Sequence, residues 1–218
     1  MRGLLLRSVV FLFVFTGSLA ICFGQEAWKL KTEEDGIKVY TRSVADSKFK
    51  ALRVECNLHT SARRLVAEIM DVKNCTSWVY HTKSITLLKQ PSPSELYYYS
   101  EVNVPWPAQN RDFIAHLKVE QNPHTKVITV DAPCVNEFVK EKEDEVRIKH
   151  SIGKWVITPI SNNEVHVDYS IEVDPGGSVP AWLVNMFATE GPLQSFKKLR
   201  QILKDSPDKG KQLTFIED

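Results

Sequence analysis

Val104-Pro105-Trp106-Pro107-Ala108-Gln109-Asn110-Arg111-Asp112-Phe113 is the stretch from which the rest of the chain can be read. A proline on each side of Trp106 fixes φ and removes two backbone donors, so the indole is held out on a stiff, non-sheet arch. Such an arch suits a lid over a cavity better than it suits a catalytic turn. The plainer reading is an inter-strand loop carrying a buried tryptophan. Directly after it comes an alternating strand that opens on an adjacent Arg and Asp. Arg111 shares its parity with Phe113, Ala115, Leu117 and Val119, whereas Asp112 falls with Ile114, His116, Lys118 and Glu120. The two charges therefore face opposite ways, and each needs a partner elsewhere. A buried cation must be bonded or paired, so Arg111 either ties down the arch or meets a polar group of a ligand.

Working outward, residues 37–43 and 48–59 alternate with β-rich content, and Ser61 caps a helix running to about Met70 with Leu65, Val66 and Ile69 on one face. Four strands follow in meander order, over residues 84–89, 96–104, 111–120 and 126–132, with turn chemistry at residues 90–94 and 121–124. Two more are expected over residues 146–157 and 164–174. The charged patch at residues 140–145 reads as a solvated loop. A long helix over residues 180–204 closes the chain, with Ser178 as its N-cap. Trp182, Met186, Thr189, Leu193, Phe196, Leu199 and Leu203 form its apolar stripe. Gly191-Pro192 must kink it and is the expected hinge. This order implies an α+β architecture: a strongly curved antiparallel sheet of about seven to nine strands packed on the C-terminal helix.

Residues 1–24 have the layout of a secretory signal peptide: Arg2 and Arg7, an apolar run from Val9 to Phe23, then polar sequence from Gln25. Cleavage after Gly24 or after Ala20 fits. The run is shorter than the roughly 20 residues of a bilayer span, which argues against a retained anchor. Residues 25–206 then form one domain, followed by a tail over residues 207–218, in a secreted or periplasmic location. The formal charge of +1 and pI near 7.7 offer no field for nucleic acid. Cys56, Cys75 and Cys134 are too few for a disulfide framework; separate buried thiols are the simple reading, and a single bridge suits an oxidising compartment. A monomer is expected.

Catalytic signatures are missing. There is no Gly-x-Ser-x-Gly elbow, phosphate loop, His-Glu-x-x-His or Cys-x-x-Cys spacing, and the six histidines are scattered. Cys75 and His81 would make a nucleophile–base pair only by an accident of folding. No catalytic residue, metal or cofactor is assigned.

Pro105-Trp106-Pro107 and Asn110-Arg111-Asp112-Phe113, with Asp174-Pro175-Gly176-Gly177-Ser178-Val179-Pro180-Ala181-Trp182-Leu183-Val184-Asn185 about sixty residues on, resemble the START (StAR-related lipid-transfer) domain. Trp78 and Gly153-Lys154-Trp155 also sit where that family carries similar residues. The resemblance covers residues 28–204. It implies a helix-grip fold around an internal cavity for one lipid or sterol-like ligand, gated by the arch and the C-terminal helix. Head-group residues do not carry over. The phosphatidylcholine-transfer branch has a charged pair where this chain has Cys75 and Val79, and an aromatic where it has Ser100; only Phe113 matches. The cholesterol branch has acidic and basic residues where this chain has Tyr98 and Leu117. A more apolar pocket is implied.

Inward parity puts Leu96, Tyr98, Ser100 and Val102 on one wall and Arg111, Phe113, Ala115 and Leu117 on the next. Trp78 completes this set, and Trp182, Met186 and Phe187 close it from the helix. Pro105, Trp106, Pro107, Gly191 and Pro192 form the gate. Lys197, Lys198 and Arg200 either meet anionic head groups at transient membrane contacts or line a solvated face. The expected function is that of a non-enzymatic lipid carrier. The alternatives are a cyclase-like helix-grip enzyme, for which His116 has the wrong parity, and a lipid-sensing module.

Overall fold

A computed structural model describes residues 27–44, 49–205 and 213–218; the expected signal peptide lies outside the described residues. No described helix is long and apolar enough to cross a membrane.

The strands are β1 (Lys29–Glu34), β2 (Ile37–Ser43), β3 (Lys50–Leu58), β4 (Thr82–Ser92), β5 (Glu95–Val102), β6 (Asn110–Gln121), β7 (Ile128–Val135), β8 (Glu145–Arg147), β9 (His150–Ser161) and β10 (Glu164–Asp174). Helix α1 (Ala62–Met70) lies between β3 and β4, and α2 (Ala181–Asn185), a π-helical turn (Met186–Glu190) and α3 (Gly191–Asp205) end the domain. Nine strands form one path, β1-β2-β3-β10-β9-β7-β6-β5-β4, with β8 paired in parallel to the start of β6. The β9–β10 hairpin thus joins the N-terminal strands to the β4–β7 meander. The described residues form ten strands, one more than the upper end of the expected range of about seven to nine. β1 lacks buried alternation and β8 is three residues long, so neither left a periodic signal.

The expected strand over residues 146–157 is broken. Residues 145–147 pair with β6, and only from His150 does the chain join β7 and β10. The arrangement follows from β7, which pairs with β6 over Ile114 to Gln121 and leaves the first residues of β6 open to β8.

Inward parity fills the concave face. Val39, Val54, Val167, Ile157, Val130 and Val119 pack with Leu65, Val66 and Ile69 of α1 and with Leu193, Phe196, Leu199 and Leu203 of α3 in one core. Ser61 caps α1 as expected, its Oγ accepting from the Arg64 amide at 3.3 Å. The cap of α2 is different: Pro180 occupies the position, without a side-chain bond.

Residues 213–218, expected in a tail, pack back on the domain. Ile216 is buried in the core, Arg63 donates to its carbonyl at 2.9 and 3.1 Å, and the Gln121 amide donates to the Glu217 carbonyl at 2.7 Å.

Candidate ligand-binding cavity

Above this core the sheet and helix do not close on each other, and a cavity of about 360 Å³ remains. Its long walls are the inward faces of β5 and β6. Register pairs Tyr98 with Ala115, Ser100 with Phe113 and Val102 with Arg111. Tyr98, Ser100, Val102, Arg111, Phe113 and Leu117 all line it, as parity requires, and Trp78 joins them from the turn after α1. The rings of Tyr98 and Phe113 meet edge to face at 5.9 Å.

Four expected lining residues do not reach it. Leu96 is buried in the solid core, because the floor falls just above it along β5. Ala115 lies on the right face, but its methyl is too short to reach past Tyr98 and Cys134, its register partners on either side. Trp182 and Met186 turn away from the cavity, and Trp182 is 47% exposed. The π turn adds a residue to the winding and re-phases α2 against α3. Leu183, Val184 and Phe187 face inward instead.

The residues expected to form a gate are placed differently from one another. Of the arch, Val104 lines the cavity, whereas Pro105, Trp106 and Pro107 do not, and Trp106 is 89% exposed. Asn110 Oδ1 accepts from the Val104 amide at 3.0 Å and pins the arch across its base. Gly191 and Pro192 do line the cavity. Proline here does not kink a regular helix; it follows the π turn, where the Gly191 amide donates back to Met186. Gly191 is also a close-approach position, since a Cβ there would stand 3.0 Å from the Tyr80 ring. Ser195 Oγ locks the same seam, accepting from the Tyr80 amide at 3.0 Å and donating to the Gly191 carbonyl at 2.9 Å.

Arg111 is 4% exposed, and its hydrogen bonds all run to backbone carbonyls: those of Gln109, Pro175 and Gly176. Burial lowers its pKa from the ordinary arginine value. It thereby fastens the Gly-Gly turn before α2 to the foot of the arch. Asp112 lies on the opposite face, as parity requires, and is fully buried. It takes two bonds of 2.8 Å from Arg147 and one of 2.9 Å from the Tyr99 hydroxyl. Lys142 bonds Glu101 and sits 3.5 Å from Glu145, so the patch expected as a solvated loop straps the outer face of β5 and β6.

Several lining residues were not assigned to the cavity wall from the sequence: Tyr169, Ile171, Trp155, Cys134, Ser151 and Phe196. The signal was present in β10, where Val165, Val167, Tyr169 and Ile171 alternate inward as β5 and β6 do.

Candidate chemistry does not converge on the cavity. The Cys75 thiol points at the Ile69 and Asp71 carbonyls, whereas His81 bonds Asn103, so no pair forms. His116 stacks on Tyr97 and bonds Glu95. Among the described residues Cys56 and Cys134 are free thiols, and burial pushes Cys56 up to about 12 and Cys134 up to about 11, leaving both protonated near neutrality. No group of metal-ligating side chains occurs among the described residues.

The START domain family model matches residues 18–209. The chain belongs to the START domain family. An uncharacterised protein of Pseudomonas aeruginosa is 34% identical over 200 residues, which are 92% of this chain and 97% of that one. The phosphatidylcholine transfer protein of Bos taurus is 26% identical over 171 residues, 76% of this chain and 78% of its own. Among solved structures, a STAR-related lipid transfer protein from Xanthomonas axonopodis superposes with a TM-score of 0.75 at 32% identity, covering 83% of this START chain and all of that fragment. Human STARD10 shares the fold, with a TM-score of 0.72 at 19% identity. The helix-grip α+β architecture is thus common ground for this START protein and its relatives.

Proposed function

We propose that this START protein carries a single hydrophobic molecule, as a secreted or periplasmic lipid carrier without enzymatic activity. The observation that carries the reading is the cavity of about 360 Å³, walled by apolar side chains of the sheet and flanked by α2 and α3. That volume sits toward the lower end of the roughly 300–1,000 Å³ of sites that enclose small ligands. Relatives named for transfer of lipid, and of phosphatidylcholine in particular, support the same class of cargo. The signal-peptide layout of residues 1–24 supports export.

Burying roughly 500 Å² of apolar ligand surface would gain on the order of 12 kcal/mol relative to water. The relevant exchange is with a bilayer, whose tails are as apolar as the cavity, so that gain largely cancels. Loading and unloading are then both accessible, and preference falls to shape and to a few polar groups. Chain export, recovery from outside the cytoplasm and solvent extraction followed by mass spectrometry should give a processed N-terminus and about one apolar molecule per protein. An empty cavity that also takes up neither a fluorescent lipid nor a sterol counts against the carrier reading.

A further inference from the structure

The charges on the cavity wall are of one sign. Lys50 and Arg111 are the charged residues that line it, and no aspartate or glutamate does. Neither cation has an ion-pair partner among the described residues. The buried carboxylates of the domain, Glu101, Asp112 and Glu145, lie on the outer face of the sheet, where Lys142, Arg147 and Lys83 pair with them.

Arg111 is buried and only partly satisfied. Its guanidinium carries five N–H donors, and the bonds to the Gln109, Pro175 and Gly176 carbonyls take three of them. Two donors remain, with a positive charge that carbonyl dipoles offset only in part. No nearby carboxylate raises its pKa against the effect of burial. Lys50 shares the inward parity of Leu52, Val54 and Cys56 on β3, but it stands at the rim and is exposed. It lies two residues beyond the Leu52–Ile171 pair, abreast of Val173 on β10, and Arg111 reaches the Pro175 carbonyl two residues further on. At about 3.3 Å per residue the two cations meet the same end of β10, about 7 Å apart along it. Four residues back from Val173, Tyr169 pairs with Trp155, which stacks on Phe196 at 5.3 Å. That part of the wall is aromatic and uncharged.

The cavity is therefore polarised. An uncharged amphiphile would leave the Arg111 charge buried without a counter-charge, and a cationic head group would add a like charge beside it. An anion would take charge-assisted hydrogen bonds from the unused donors. We propose that Arg111 and Lys50 form an anion-binding rim, and that the cargo is an amphiphile with one anionic head group, a carboxylate or a phosphate, held at that rim with its chain inward. This rests on the carrier reading and specifies its ligand class.

The test uses four probes of equal chain length, each below its micelle-forming concentration: palmitate, hexadecyl phosphate, methyl palmitate and hexadecyltrimethylammonium. Each is titrated at pH 8 by displacement of an uncharged fluorescent lipid from the wild type and from Lys50→Met, Lys50→Glu and Arg111→Met. In the wild type at least one anion should bind more tightly than the ester, and the ammonium most weakly. Palmitate ahead of hexadecyl phosphate assigns a carboxylate head group, and the reverse order a phosphate. Lys50→Met should weaken the preferred anion roughly 3-fold and Lys50→Glu roughly 10-fold, with methyl palmitate unchanged in both. Arg111→Met should weaken it roughly 10-fold or more. Anions that bind no better than the ester, equal losses for ester and anion in Lys50→Glu, or a preference for the ammonium overturns the rim while the carrier reading survives. If neither the fluorescent lipid nor any probe binds, the carrier reading falls and the rim with it. Should Arg111→Met fail to fold, the Lys50 variants and the wild-type ranking decide.

Discussion

Arg147 reaches Asp112 through two nitrogens, and it also donates to the carbonyls of Val139 and Lys140, so one side chain ties the outer strap to the middle of the sheet. Removing one partner of such a buried pair leaves the other charge stranded. Arg147→Met should therefore lower the unfolding free energy by about 3–5 kcal/mol, measured by urea titration. Glu101, in the same network, is held at about 2 by its bonds from Lys142 and Ser84. A carboxylate depressed in the folded state contributes stability that is complete above its ordinary value of 4.5 and is lost as pH falls toward 2. Thermal midpoints should drop across that window, and Glu101→Gln should flatten the drop.

Gly176 has φ +65, and a Cβ there would stand 3.0 Å from Val146 Cγ1. Gly176→Ala should cost about 1–3 kcal/mol, seen as a lower urea midpoint with unchanged slope. The Arg111–Asp112 dipeptide was legible by parity alone, because neighbouring strand residues must face opposite ways. What each bonds to across the fold was not, since Pro175 lies 64 residues from Arg111 and Arg147 lies 35 from Asp112.

At the level of elements, most of the sheet was readable because its strands alternate cleanly and α1 carries both a cap and an apolar face. The C-terminal helix was not, for a specific reason. A stripe traced at 3.6 residues per turn assumes constant winding, and the π turn over Met186–Glu190 breaks that assumption five residues into the element. Pro192 was the visible sign of irregularity, but its position marks the end of the disturbance and not its centre. Restoring the amide with Pro192→Ala gives α3 another donor and lets regular winding compete with the π turn. Hydrogen exchange at residues 186–190 should slow in this variant, and release of a bound fluorescent lipid should slow with it. Unchanged exchange at those residues would remove the π turn from any part in gating. The strap at residues 136–147 was hidden for a different reason: a charged sequence gives no periodic sign that its charges will be paired.

Across the whole molecule, the mouth of the cavity and two exposed aromatics lie in neighbouring segments. Trp106 stands out on the arch whose Val104 lines the cavity, and Trp182 stands out from α2, whose Leu183 also lines it. Indoles favour the membrane–water boundary, so Trp106→Ser with Trp182→Ser should slow lipid transfer between vesicles about tenfold while leaving cavity affinity unchanged. A transfer rate equal to the wild type would assign membrane contact elsewhere. The helix cations are poor substitutes: Lys197 is paired with Glu34 at 2.6 Å, and Arg200 bonds the Asp35 carbonyl at 2.8 Å, which leaves Lys198 as the exposed member of the three. The existence and walls of the cavity were legible in the sequence, through strand parity and the resemblance of the two motif blocks. Its depth was not, because floor and mouth depend on how far particular side chains reach.

The family pattern stops at residue 209, yet Ile216 is 1% exposed and its carbonyl holds Arg63 of the first helix. A fragment cut where the pattern ends would keep every strand and helix but lose this clasp. The floor of the cavity would then have one side free to breathe. Comparative work on trimmed versions would be measuring a looser vessel than a chain that keeps residues 213–218.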